Sequence, residues 1–203
     1  MFDAALQPLT TRLLGPPAHA LAARGIRADH VTLAGFALGL AALCAVALGH
    51  SLWGLALLAA NRLADGLDGE IARATGPTHR GAFVDIALDF IFYALFPLGF
   101  ALADPGRNAL PAAVLIASFM ATGASFLTFA AVSAQSGTPP PRPRDKGIAY
   151  LGGLTEGAET IAVFAAMCLW PGAFAPLALA FAAACWVTAL TRLVQGWRAF
   201  TER

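Results

Sequence analysis

Charge is scarce in this chain. Of its 203 residues, 12% are Asp, Glu, Lys or Arg and 58% are hydrophobic, whereas a soluble domain averages about 25% charged and about 45–50% apolar. Mean hydropathy is +0.68. Both departures exclude an ordinary soluble domain and point to an integral membrane protein. Lysine is nearly absent, with Lys146 alone, and no long basic run is present, so no nucleic-acid partner is expected. Cysteine is equally sparse. Cys44, Cys168 and Cys185 lie in apolar runs without CxxC spacing, which argues against disulfides and zinc and for small buried apolar side chains. The opening MFDAALQPLTTRLLGPP has no apolar core followed by a small-residue cleavage site, so a cleaved signal peptide is not expected. Phe2, Ala5, Leu6, Leu9 and Leu13 recur there at helical spacing, the pattern of an amphipathic helix lying on a membrane surface.

Long hydrophobic runs, by contrast, fill the chain. A spanning helix needs about 20 mostly apolar residues, and six candidates occur: 30–49, 51–74, 81–103, 109–134, 149–170 and 173–196. Turn signals separate them, at His50-Ser51, Gly76-Pro77, Asp104-Pro105-Gly106, SGTPPPRPRDKG and Pro171-Gly172. The expected fold is therefore an all-α integral membrane protein: one domain over 1–203, with an interfacial segment 1–28 and a six-helix bundle 30–196.

Arginine sets the orientation. With the N-terminus in the cytoplasm, Arg12, Arg24, Arg27, Arg73, Arg80, Arg142, Arg144, Lys146, Arg192, Arg198 and Arg203 all fall inside, Arg107 falls outside, and Arg62 lies within the second span. The positive-inside rule thus favours an even number of spans and cytoplasmic termini, in a plasma membrane of the bacterial inner-membrane type.

One stretch breaks the apolar pattern. NRLADGLDGEIARATGPTHRGAFVDIALDF, residues 61–90, places Asp65, Asp68, Asp85 and Asp89 at the cytoplasmic ends of the second and third spans. At about 100° per residue, Asn61, Asp68, Gly69 and Ala72 lie within about 60° of Asp65, while Glu70 falls about 140° away. On the next helix Gly81, Asp85 and Asp89 span about 80°. Two short carboxylate rows face one another across a tight loop. Each bare carboxylate costs about 2.5–3.5 kcal/mol at the bilayer centre and less near its surface. Arg62 and Arg73 offset part of the charge, and a divalent cation would offset the rest. An all-oxygen set with no His or Cys at ligand spacing selects Mg²⁺ or Mn²⁺, and four carboxylates could hold two ions. Gly69, Ala72 and Gly81 keep the same faces low, either for a bulky ligand or for helix packing. Gly35 and Gly39, spaced GxxxG, read as packing.

The order Asp65-x2-Asp68-Gly69-x2-Ala72-Arg73-x7-Gly81-x3-Asp85-x3-Asp89 resembles the signature of the CDP-alcohol phosphotransferase family. The gap after Arg73 is seven residues where that pattern usually has eight, which alters the loop and not the register of either helix. Chain length and the six-span layout resemble the family too. The resemblance implies a transferase of phospholipid biosynthesis that moves a substituted phosphate group, phosphatidyl from CDP-diacylglycerol foremost, to a small alcohol and releases CMP. It implies Asp65, Asp68, Asp85 and Asp89 as the metal set, Asp89 as the general base, and Gly69, Ala72, Arg73 and Gly81, beside Asp65, around the nucleotide. It also implies a homodimer.

Other residues are candidates beside this core. Asp29-His30-Val31-Thr32 resembles the Asn-x-x-Thr that opens the first span in many family members. Asp29 reads equally as a plain N-cap, and Thr32 as part of the nucleotide pocket. Arg80, Arg142, Arg144, Lys146 and Arg192 could converge on a phosphorylated acceptor, or the loop cations could express the positive-inside bias alone. Glu156 and Glu159, at i and i+3 in the fifth span, could pair with Arg62 or Arg192 or line the acceptor site. The four histidines and Trp53, Trp170, Trp186 and Trp197 read mainly as interfacial. The competing class is a divalent-cation or proton-coupled transporter with the aspartates as its ion site. Against it, the acids gather at one membrane face and the halves 1–100 and 101–203 show no repeat.

Overall fold

The computed structural model describes residues 3–137 and 153–200, with side-chain contacts described from residue 10 onward. Arg142, Arg144, Lys146 and Phe2, and the start of the run at 149, lie outside these residues, as do the side chains of Ala5, Leu6 and Leu9. Among the described residues the chain is helical throughout, with no strand.

Helix α1 covers Asp3–Ala23, α2 Ala28–Ala47, α3 Ser51–Thr75, α4 His79–Ala103, α5 Pro105–Ser136, α6 Gly157–Leu169 and α7 Phe174–Ala199, with a 3₁₀ turn at Pro171–Ala173 before α7. Four segments are long and apolar enough to cross a membrane: α2, α4, α5, and the 3₁₀ turn with α7. Helix α3 is apolar only up to Ala60; beyond it come Asn61, Arg62, Asp65, Asp68, Glu70 and Arg73. Helix α6 is apolar but only 13 residues long.

Several boundaries differ from the sequence reading, each for a local reason. Asp104-Pro105 is a helix start and not a free turn. The Asp104 carboxylate accepts from Arg107 N at 3.2 Å, and Pro105 takes the first helical position, where its missing N–H costs nothing. Asp29 is not the N-cap of α2. That place falls to Arg27, without a side-chain cap bond, and Asp29 sits inside the first turn, where its negative charge suits the helix dipole. Cys44 is exposed on α2, whereas Cys168 and Cys185 are buried as expected.

Small residues let the helices close. A Cβ added at Gly35 would come 2.9 Å from Ala64 Cβ, and one at Gly39 would come 2.7 Å from the Phe92 ring. The GxxxG spacing of α2 therefore serves close approach to α3 and α4. The interior is aromatic. Phe92, Phe96, Phe100, Phe164 and Phe174 are essentially fully buried. Phe96 meets Phe164 at 4.7 Å between centroids, and Phe100 stacks on Phe174 at 4.6 Å. Such pairs add about 0.5–1.5 kcal/mol each beyond burial.

Helix α1 packs along the polar half of α3. Ala18 is fully buried, and a Cβ at Gly66 would strike Leu14 Cδ1. Leu13, placed by periodicity on the apolar face, is 63% exposed. The face that α1 turns to the bundle is thus that of Leu14 and Ala18.

Candidate metal and nucleotide site

The polar half of α3 and the start of α4 build the site. Between them, Gly76 ends α3 at φ +96°, a conformation that favours glycine, and the Thr78 hydroxyl caps α4 by accepting from Gly81 N at 3.0 Å. This short connection holds the two carboxylate rows in register. One oxygen each from Asp65, Asp68 and Asp85 lies within 4.8 Å of the others. Asp68 is buried, and Asp65 and Asp85 are partly exposed. Asp89 joins these three in lining one cleft, together with Thr32, Asn61 and Arg62. Three hard oxygen donors so placed, with no His or Cys among them, fit Mg²⁺ or Mn²⁺ by the chemistry of the donor set.

Arg62 occupies the inner wall of the cleft. Its Nη2 lies 3.3 Å from Asp89 Oδ1, and its Nη1 lies 3.7 Å from Asp65 Oδ2. Its Nε donates to Asn61 Oδ1 at 2.8 Å, and Asn61 Nδ2 donates to the Gly35 carbonyl at 2.8 Å. The guanidinium also lies 5.3 Å from the Phe92 ring centroid and donates to the Tyr93 hydroxyl at 3.4 Å. The sequence offers Arg62 as an offsetting charge or as a partner of Glu156 or Glu159, whereas its partners here are Asn61, Asp65, Asp89 and Tyr93, the last of them unforeseen. The available signal was spacing: Tyr93 stands one turn beyond Asp89, as Arg62 stands one turn before Asp65.

Thr32 is among the residues lining the cleft, its hydroxyl donating to the Ala28 carbonyl at 3.0 Å. Gly69, Ala72, Arg73 and Gly81 lie beside the cleft and not among its lining residues. The Arg73 guanidinium lies over Gly69, where a Cβ would meet it at 3.6 Å, and pairs with Glu70 at 2.6 Å. Glu70, buried off the carboxylate face, accepts in turn from the Thr11 hydroxyl of α1 at 2.8 Å. At Gly81 a Cβ would come 3.3 Å from Asp29 Oδ1. Asp29 pairs with Arg27 at 2.9 Å and with Arg80, tying the start of α2 to the start of α4.

The residues proposed for an acceptor are not brought together among those described. Arg80 is exposed and engaged with Asp29. Arg192 is buried between α5 and α7, with Nη1 donating to the Thr122 carbonyl at 3.3 Å and the guanidinium 5.7 Å from the Phe126 centroid. Glu156 and Glu159 form a capping box at the start of α6, in which Glu159 accepts from Glu156 N at 3.2 Å. That backbone role was missed, because an i, i+3 pair of acids reads as a helix face as readily as a cap.

Comparison with known proteins gives this arrangement a context. The family model for CDP-alcohol phosphatidyltransferase matches residues 26–194. The chain is 47% identical over 197 residues to the inner membrane protein YnjF of Escherichia coli, covering 97% of this chain and 96% of that one. It is 37% identical over 94 residues to an archaetidylinositol phosphate synthase of Methanothermobacter thermautotrophicus, covering 46% and 47% of the two chains. The fold is shared with the Mycobacterium tuberculosis phosphatidylinositol phosphate synthase PgsA1. The PgsA1 crystal structure with CDP-DAG bound superposes with a TM-score of 0.77 at 22% identity, over 95% of this chain and 98% of that one. A second PgsA1 structure, in complex with manganese and citrate, gives 0.74 at 21% identity, over 94% and 93%. With a family match over residues 26–194 and a relative 47% identical along nearly its whole length, this chain belongs to the CDP-alcohol phosphatidyltransferase family.

Proposed function

We propose that this protein transfers a substituted phosphate group, phosphatidyl from CDP-diacylglycerol, to a small alcohol and releases CMP, as a step of phospholipid synthesis. The observation that carries the reading is the cluster of Asp65, Asp68 and Asp85 oxygens within 4.8 Å, in a cleft shared with Asp89 and Thr32. A divalent ion, Mg²⁺ or Mn²⁺, held by that trio would neutralise charge developing on the CMP leaving group. The chain's own residues do the rest. Asp89 takes the proton from the acceptor hydroxyl, whose oxygen bonds to the lipid-bearing phosphorus as the bond from that phosphorus to CMP breaks. Thr32 lines the cleft, and Gly69, Ala72, Arg73 and Gly81 beside it would border the nucleotide once Arg73 swings off Gly69. A carboxylate paired with a cation is a modest base, so positioning of the hydroxyl must supply much of the rate.

The acceptor we favour carries its own phosphate, whose charge the loop cations Arg142, Arg144 and Lys146 would offset. PgsA1 is named a phosphatidylinositol phosphate synthase, and the archaeal relative an archaetidylinositol phosphate synthase. We place the whole chain in the membrane as one domain with six spans, α3 and the run 149–170 joining the four apolar segments. The termini and the cleft then face the cytoplasm, and the working form is a homodimer.

The test is CMP release by purified protein from CDP-diacylglycerol with Mn²⁺ or Mg²⁺, against glycerol phosphate, inositol phosphate, inositol and serine. The reading predicts release that needs one of these acceptors and stops with EDTA. Release that ignores both the acceptor and EDTA would refute it.

A further inference from the structure

The four aspartates are not equivalent. Asp65, Asp68 and Asp85 approach one another, whereas Asp89, one turn beyond Asp85, holds the nearer contact to Arg62, at 3.3 Å against 3.7 Å for Asp65. That arginine is held on four sides. Its Nε is fixed by Asn61, which is itself tied to the Gly35 carbonyl. Its Nη1 meets the Tyr93 hydroxyl, and the Phe92 face lies against it. Its side chain is 19% exposed. A guanidinium anchored this firmly behaves as part of the wall, and a charged hydrogen bond to a partly desolvated carboxylate resists exchange.

We propose that Arg62 is the resident counter-charge of Asp89, a positioning residue that keeps this carboxylate out of the ion-binding trio. In the absence of donor the chain then takes one divalent ion and not two. Charge supports the division. One divalent ion together with Arg62 leaves the four carboxylates a single negative charge, whereas a second ion would leave the desolvated cleft net positive. The inference rests on the divalent site proposed above and deepens it. It assigns to an arginine the place that a second metal would take, and it leaves Asp89 aimed by the protein itself.

The test is Mn²⁺ stoichiometry, by calorimetry and by electron paramagnetic resonance, on detergent-purified protein without donor. The wild type should bind one Mn²⁺ per chain with an uncoupled hyperfine spectrum. Arg62→Met should bind a second ion and show spin coupling between the two, while Arg62→Lys should stay at one. Asp89→Asn should also stay at one. Two ions in the wild type falling to one in Asp89→Asn would overturn the proposal, as would a folded Arg62→Met that still binds one. Should Arg62→Met not fold, the wild type and Asp89→Asn decide it together. No Mn²⁺ binding at all would overturn the divalent site as well. Two ions in a wild type that still releases CMP would overturn the role of Arg62 alone.

Discussion

Asp85 and Asp89 stand one turn apart on the same helix and should fail differently when changed to the amide. Asp85→Asn removes one of three ion-binding oxygens, and losing the ion's several kcal/mol of charge stabilisation lowers kcat/KM by about 10³-fold. Its Mn²⁺ affinity should fall in step. Asp89→Asn should lower kcat by about 10²–10⁴-fold, the usual range for a general base, while Mn²⁺ binding persists. Calorimetry beside the CMP assay separates the two. Equal loss of metal from both variants would contradict the assignment. The positions of these carboxylates were legible in the sequence, because the helical repeat fixes which side chains share a face. Their partners were not. The links from Thr11 to Glu70 and from Arg62 to Asn61 and Tyr93 depend on how far apart the helices lie, and helical spacing carries no distance between helices.

At the scale of helices, the site depends on a short connection and a close crossing. Thr78→Ala removes the cap of α4 and should destabilise the protein by about 1 kcal/mol. Because that helix carries Asp85 and Asp89, a fall in melting temperature should come with weaker Mn²⁺ binding. Gly35→Leu forces a side chain into Ala64, already 2.9 Å from a mere Cβ, and should cost about 1–3 kcal/mol. It also disturbs the carbonyl that anchors Asn61. A melting temperature unchanged by Gly35→Leu would contradict the packing described. The helices themselves were readable from apolar runs and turn residues, and GxxxG correctly marked the close face of α2. The ends were less so. Asp104-Pro105 reads as a turn until its capping bond is seen, and Asp29 reads as a cap until the backbone places Arg27 there. Acids and prolines near a boundary serve both purposes, and only backbone hydrogen bonds distinguish them.

Across the whole molecule, large apolar side chains face outward from the bundle. Leu52, Trp53, Leu110, Met120 and Trp197 are each more than 60% exposed, a surface suited to lipid and costly in water. The arginine distribution supports the orientation we propose, with the aspartate cleft at the cytoplasmic face. A membrane-impermeant thiol reagent applied to intact cells should therefore label a cysteine placed at Arg107 and spare one placed at Thr75. The central claim is that the carboxylate trio makes this chain a transferase and not an ion carrier. It is tested most directly in sealed vesicles containing the wild type or Asp68→Asn, with CDP-diacylglycerol and inositol phosphate supplied, by following CMP release and Mn²⁺ uptake together. The account predicts CMP release by the wild type, lost about 10³-fold in Asp68→Asn, with no Mn²⁺ uptake by either. Mn²⁺ uptake that depends on Asp68, without CMP release, would contradict it.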